Sequence, residues 1–507
     1  MNRIYQKEVE TTCDYTLPDY MGDLKKLLSV SARPIPSGRF ASDDSVEYSG
    51  VIEYSALYAD SEGKLTSIIA SSDYDVSFPI KDGYKDSGAT AKVASVSTRV
   101  SGPRKISFRA QVSMAADLVY EDDTALTGSG AERDDLEALS LSVAREEAIF
   151  VSLPEREYAE EATRLDGVYA DDVEIIATSG AVRIIESVVE EGAVVVKGEL
   201  IITAIIRTHE QPPFAIRKIV PFEERITSED VTPTMTAVSR AYLSSVRAAV
   251  SEDGENAVIT VNAISDLSAT LYKNETVSIV RDAYLRNSGF DVKYDTRVFS
   301  ERIFTVSHED KVAHVVERRD FGLEGVRDIL KMSAEANVSD KTVEDEGFRI
   351  RGNLAVSGVA CEINADSSIS YIPIRINVPM DMLVKCSCHF DESCEVDAQV
   401  APYDVEFSLD AEHLRISVLL YVNLAVRRSR ELKCAVECNS VVGEEVEKRR
   451  SEIIVYYPEP EETLFDIAKA YRTTVAKIAL DNSLSDSVAS SADGQVSSLG
   501  VKSVIIT

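Results

Sequence analysis

The side chains best suited to chemistry in this chain are crowded into one stretch. Six of the seven cysteines lie between Cys361 and Cys438, and Cys386, Cys388 and Cys394 stand close together with His389 among them. Thiolates and imidazoles are the ligands of tetrahedral zinc, which needs four of them converging at about 2.0–2.3 Å. The Cys386-x-Cys388 and Cys434-x3-Cys438 spacings are not those of zinc knuckles, and a strand would set Cys386 and Cys388 on one face. The plainer reading is a set of buried or partly exposed thiols that pack as small hydrophobes. No metal or other cofactor is expected. His209, His308, His314, His389 and His413 are scattered over different predicted elements. No HExxH, GxSxG or GxxxxGK[ST] occurs, so a zincin, a serine hydrolase elbow and a P-loop each lack their required parts. The chain is therefore read as non-enzymatic.

What could such a chain bind? Its 54 basic and 86 acidic residues give a net charge of −32. Phosphate-rich partners would be repelled, which argues against nucleic acid and anionic lipid. The acids are interspersed with apolar residues, as on the solvated faces of folded domains. Tryptophan, the commonest sugar-stacking side chain, is absent, while 21 tyrosines remain. The N-terminal MNRIYQKEVETTCDY has no apolar segment that could direct export, and no run of about 18 apolar residues exists to cross a membrane. A cytoplasmic location with reduced thiols is the expectation.

The elements that would position any site come from an internal repeat. VEYSGVIEYSALY (Val46 to Tyr58), VVVKGELIITAII (Val194 to Ile206) and FRIRGNLAVSGVACEI (Phe348 to Ile363) are three versions of one strand. Each carries an early glycine, Gly50, Gly198 or Gly352, and a serine 19 residues before it, Ser31, Ser179 or Ser333. A second apolar strand follows each, with Pro79, Pro221 or Pro379 near its end. Three copies of a unit of about 150 residues predict three modules, 1–135, 136–290 and 291–448, followed by a tail, 451–507. The repetition could supply several equivalent sites or three diverged spacers.

Within the modules, a short amphipathic helix is expected ahead of the first repeated strand. PDYMGDLKKLLS places Met21, Leu24, Leu27 and Leu28 at helical spacing, and FGLEGVRDILKM does the same with Leu323, Val326, Ile329 and Leu330. LDGVYADDVEIIAT is the weaker counterpart in the second module. The turns ADSEGK, HEQPPF and NADSS predict hairpins. A further pair of strands is expected later in each module, on KISFRAQVSMAADLVY, AVITVNAISDLSATLY and LRISVLLYVNLAVRR. Ile106, Phe108, Ala110 and Val112 alternate there with polar residues, the pattern of an antiparallel sheet with one wet face. SRAYLSSVRAAV (Ser239 to Val250) fits helix or strand, as does LSLSVAREEAIFVSL, read as the opening strand of module two. GSGAERDDLEA (Gly128 to Ala138) reads as a linker. The fold class is mainly β: three related antiparallel sandwich- or barrel-like modules and a small βααβ tail.

In the tail, Ile453 to Tyr457 reads as a strand. Thr463 can cap a helix bearing Leu464, Ile467, Ala468 and Tyr471. Thr473 or Thr474 can cap a second with Val475, Ile478 and Ala479, and Val504 to Ile506 closes the sheet. Tyr471 is read as core, with Tyr456-Tyr457 as a further candidate for recognition.

Thr463, Leu464, Ile467, Ala468, Tyr471, Val475 and Asn482 follow the order of the LysM pattern, and the tail resembles a LysM module. The resemblance points to the two turns flanking a LysM groove as binding candidates: Glu461, Glu462, Thr463 and Leu464 on one side, Asn482, Ser483 and Leu484 on the other. This chain departs from the pattern at Glu461-Glu462, which replaces the usual Gly-Asp, and at Thr507, which replaces a final proline. The three modules resemble the SPOCS (DUF3794) repeat of clostridial sporulation proteins, through TLPDYMGDLKKLLSVSA (Thr16 to Ala32), the thrice-used strand and IVPFEERI (Ile219 to Ile226). SPOCS repeats followed by a LysM-like tail imply a non-enzymatic adaptor in the mother-cell cytoplasm, at the forespore surface. Its implied partner is the spore coat's basal-layer morphogenetic ATPase, held by the tail. Peptidoglycan binding through the LysM groove is the alternative.

Overall fold

In the computed structural model of the chain, residues 3–42, 44–80, 84–120, 124–344, 346–386, 394–445, 453–459, 462–484 and 503–507 are described. The chain is mainly β, and one six-strand plan occurs three times. The first copy holds β1 (Arg3–Thr16), β2 (Leu24–Ala41), β3 (Ser45–Asp60), β4 (Leu65–Pro79), β5 (Tyr84–Gly102) and β6 (Lys105–Tyr120). The second holds β7 (Leu136–Leu165), β8 (Val173–Glu190), β9 (Ala193–Thr208), β10 (Phe214–Thr227), β11 (Thr236–Asp253) and β12 (Asn256–Leu285). The third holds β13 (Ser288–Glu317), β14 (Val326–Glu344), β15 (Gly347–Ile363), β16 (Ile369–Lys385), β17 (Cys394–Leu409) and β18 (His413–Glu445). In each copy the second, third and fourth strands form an antiparallel meander, and the sixth strand lies between the first and the fifth. The two sheets face each other across an apolar core. In the first copy Tyr54 of β3 stacks on Phe108 of β6 with ring centres 5.2 Å apart. The three expected hairpins are present, joining β3 to β4, β9 to β10 and β15 to β16.

The repeated glycine has a steric cause. Gly50, Gly198 and Gly352 each lie opposite a bulge on the second strand of their copy. A β-carbon there would come within 2.5 Å of Ile35 O, 2.4 Å of Arg183 O and 2.1 Å of Asn337 O, carbonyls that stand four residues after the repeated serines. Only hydrogen fits so close to a neighbouring backbone. Pro79, Pro221 and Pro379 fall on the fourth strand, which is an edge of its sheet in all three copies and can spare the missing N–H.

The expected amphipathic helices are not formed; their residues belong to strands. Leu24, Leu27 and Leu28 lie on β2, and Val326, Ile329 and Leu330 on β14, while the second copy has a single 3-10 turn, Ala170–Asp172, ahead of β8. Bulges explain the misleading spacing. β2 slips register between Leu24 and Lys26 and again between Leu27 and Ser29; β14 does so between Val326 and Asp328 and between Ile329 and Lys331. An extra residue every third position turns alternation into apparent helical periodicity. Leu24 and Leu27 face the core of their own copy, and the bulged Leu28 faces elsewhere. The two stretches that fitted either state, Ser239 to Val250 and Leu139 to Leu153, are both strand.

The bulges also join the copies. Leu28, Ile176 and Leu330 are the bulged residues three positions before the repeated serines, and Leu57, Ile205 and Val359 stand seven positions after the repeated glycines. All six meet in one buried cluster. Each copy touches both others. Ser67 donates to Ile176 O at 2.5 Å, Arg183 Nη2 to Glu309 at 2.6 Å, and Lys26 to Tyr371 O at 3.0 Å, so the third copy closes back onto the first. The arrangement is a pseudo-threefold ring within one chain.

β7, β12, β13 and β18 run on beyond the ring. Residues 136–149 pair with 271–285, residues 288–302 pair with 427–445, and the two ribbons pack through Val143, Ile279, Phe299 and Cys434. This stalk carries the tail. The segment expected as a linker after residue 127 is pinned across it, with Thr127 N bonded to Val436 O and Gly130 N to Cys438 O. β12 gives way to β13 at Arg286–Asn287.

Candidate functional site

The tail folds as β19 (Ile454–Tyr456), α1 (Leu464–Tyr471), α2 (Val475–Asp481) and β20 (Val504–Ile506), with β19 and β20 antiparallel. Thr463 caps α1 in a capping box with Asp466: Asp466 N donates to the Thr463 hydroxyl, and Thr463 N donates back to the Asp466 carboxylate. Thr474 caps α2 by accepting from Lys477 N at 3.0 Å. Leu464, Phe465, Ile467, Ala468 and Ile478 close against Val504 and Ile506, with Ile454, Tyr456 and Tyr471 alongside. Tyr456 and Tyr471 meet edge to face at 5.5 Å.

Of the seven residues expected at the binding site, Glu461 lies outside the described residues. The Glu462 carboxylate accepts from the Tyr456 hydroxyl at 2.8 Å and from Glu459 N at 2.9 Å. Thr463 serves as the helix cap, and Leu464 is buried in the tail core. Asn482 bonds Ile478 O at 2.8 Å and both main-chain groups of Ile505 at 2.7 Å. Ser483 is exposed with a left-handed backbone, and Leu484 packs beside the core. Both groups are thus anchored to the β19–β20 ribbon, Glu462 through Tyr456 and Asn482 through Ile505.

A contact that sequence reading missed fixes the tail to the stalk. Tyr284 of β12 is buried in the tail core, edge to face with Phe465 at 5.2 Å, and its hydroxyl donates to Thr473 O at 2.5 Å. Lys469 reaches Asp282 at 2.6 Å, and Arg472 donates to Leu285 O at 2.6 Å and Ser288 O at 3.1 Å. Burial pushes the Tyr284 hydroxyl well above its ordinary range, so it is a permanent donor to Thr473. The sequence signal was present: Lys469 and Arg472 fall in the last turn and C-cap of α1, where cations complement the helix end.

A second missed feature joins the copies. Arg427 reaches Asp117 at 2.9 Å and Glu146 at 3.1 Å. Arg302 pairs with the same Glu146 and lies over the Tyr272 ring, whose hydroxyl donates to Asp117 at 3.1 Å. All three copies contribute, and the charges are almost completely buried. The neighbouring cavity is lined by Thr90, Arg240 and Gln399, each four residues before a bulge in its copy's fifth strand. Burial raises the Asp117 carboxyl, but Arg427, Arg302 and the Tyr272 hydroxyl outweigh it and hold that carboxyl below its ordinary value.

Among the described residues the cysteines form no cluster of metal ligands. Cys361 lies in the buried junction between copies, and Cys434 and Cys438 lie in the stalk. Burial raises all three thiols, Cys361 to about 11, which suits inert packing rather than nucleophilic chemistry. Cys386 is disulfide-bonded, which corrects the expectation of reduced thiols at that position. Cys388 and His389 lie outside the described residues; among the described ones no three potential ligands cluster. No helix of the described residues is long and apolar enough to cross a membrane.

Residues 459–488 match the LysM domain family. The match takes in both helices, α1 and α2, with residues on either side of them. The tail therefore carries a LysM domain, a module that binds and does not catalyse, of the kind associated with carbohydrate and peptidoglycan. No curated protein and no solved structure matches the chain.

Proposed function

We propose that this chain is a non-enzymatic adaptor of spore-envelope assembly, of the SipL type, with three SPOCS modules at 1–135, 136–290 and 291–448. It works in the mother-cell cytoplasm at the forespore surface, and its LysM domain holds the coat's basal-layer ATPase. The observation that carries this reading is how the groove-flanking side chains are used. Leu464 is buried, Thr463 caps a helix, and the Asn482 amide is consumed by main-chain bonds. Tyr456 and Tyr471 pack on each other instead of lying flat for a sugar ring. Little hydrogen-bonding capacity is left on these residues for a glycan, whereas exposed apolar residues on the ribbon suit a protein.

The LysM match itself favours the second reading, a peptidoglycan-binding protein. Sedimentation with purified peptidoglycan separates the two. The adaptor stays in the supernatant; a protein that pellets with the wall polymer and is released by soluble chitooligosaccharide is a glycan binder.

A further inference from the structure

The tail ribbon has an open edge and an open face at one residue. Val455 of β19 is paired with Ile505 of β20. The Asn482 amide donates to Ile505 O and accepts from Ile505 N, both at 2.7 Å. In an antiparallel ladder, a residue whose main-chain groups turn away from the partner strand belongs to a non-hydrogen-bonded pair, and its opposite number turns its own groups outward on the other side. Asn482 therefore closes the β20 edge, while the Val455 N–H and C=O point past the β19 edge. No described residue bonds them there.

The face is open as well. Ile454, Tyr456, Val504 and Ile506 turn toward the helices. Ile453, Val455 and Tyr457, on the other side, are 75%, 54% and 73% exposed, and Ile505 across from Val455 is 38% exposed. Where β19 ends, Glu459 and Glu462 are held together by the Glu459 N–H bond to the Glu462 carboxylate. The end of α1 is occupied by the stalk, through Lys469, Arg472 and Thr473.

The geometry points to β19 as a strand-addition site for an extended segment of a partner protein. Its main chain would continue the ladder at Val455, its apolar side chains would cover Ile453, Val455 and Tyr457, and a Lys or Arg would meet Glu459 and Glu462. A second copy fits poorly, because it would bring its own Glu459 and Glu462 and another net charge of −32. The chain's own 485–502 segment fits no better: its single basic residue, Lys502, lies two positions before β20, and it carries Asp486 and Asp493. This inference rests on the adaptor reading and specifies the surface that reading uses.

The test is hydrogen exchange of the full chain, alone and with the purified coat ATPase, together with titration of Val455→Asp, Tyr457→Lys and Leu480→Ser. Slowed exchange at 453–457 in the complex is expected. Val455→Asp and Tyr457→Lys should each weaken binding roughly tenfold or more, and Leu480→Ser, at an exposed side chain of α2, should leave it unchanged. Exchange of the α1 amides shows that each variant tail is folded; Tyr457 lies outside β19, so its variant keeps the ladder intact. Binding with protection confined to 462–464 and 482–484 overturns strand addition and leaves the adaptor reading standing. No binding by the full chain overturns both. Self-association abolished by Val455→Asp would make the occupant a second copy and overturn the assignment to a partner.

Discussion

Asp117, Glu146, Arg302 and Arg427 show how much of this molecule depends on a few buried charges. Breaking such a group by removing one member is costly, because the others stay desolvated without compensation. Arg427→Ala should lower the unfolding free energy by about 3–5 kcal/mol, measured by denaturant titration. The pH dependence follows from the depressed Asp117 carboxyl. Its contribution is fully present above the unfolded carboxylate value of about 3.9 and is lost as pH falls through the lower folded value. Denaturant midpoints should therefore hold between neutral pH and pH 5 as far as this group is concerned and drop only in stronger acid. Asp117→Asn should remove that part of the drop. The repeated glycines offer a contrast. Gly198→Ala would drive a methyl against Arg183 O and the Phe222 ring, costing about 1–3 kcal/mol, whereas Gly102→Ala meets open space and should be nearly neutral. The glycines were legible in the sequence because the same backbone approach recurs three times. The charge cluster was not, because Asp117 and Arg427 are 310 residues apart and neither carries a local pattern.

Strands were legible wherever alternation was clean, as on β6, where Ile106, Phe108, Ala110 and Val112 are all buried. They were misread on β2 and β14, where paired bulges reset the alternation every third residue and imitate a helix. The tail helices were legible because capping threonines and a 3.6-residue stripe agree over a short span. Their docking on the stalk was not, since Tyr284 looks like any strand tyrosine until the tail lies over it. Tyr284→Ala removes an aromatic from the tail core and the donor to Thr473. It should cost about 3–5 kcal/mol locally, and α1 and α2 should lose exchange protection while the ring keeps its own.

The described residues form a ring of three copies with a stalk and a terminal clasp. The six apolar residues at equivalent positions in the junction make the copies interdependent, so the repeats are not loose spacers. Leu330→Asp places an unpaired charge among Leu28, Ile176, Ile205 and Val359. Small-angle scattering should then report a larger radius of gyration, with less cooperative unfolding, while a surface substitution such as Leu480→Ser should change neither. The threefold repetition was visible in sequence. Closure of the ring was not, because it rests on pairings such as Lys26 with Tyr371 and Ser67 with Ile176, whose partners carry no shared motif.

At this scale we propose that the molecule holds a protein through its tail and performs no reaction on it. The most direct check is calorimetric titration of the purified coat ATPase into the full chain and into the same chain ended after Arg450. Saturable binding by the full chain that disappears in the shortened one is the predicted result; equal binding by both would contradict the account.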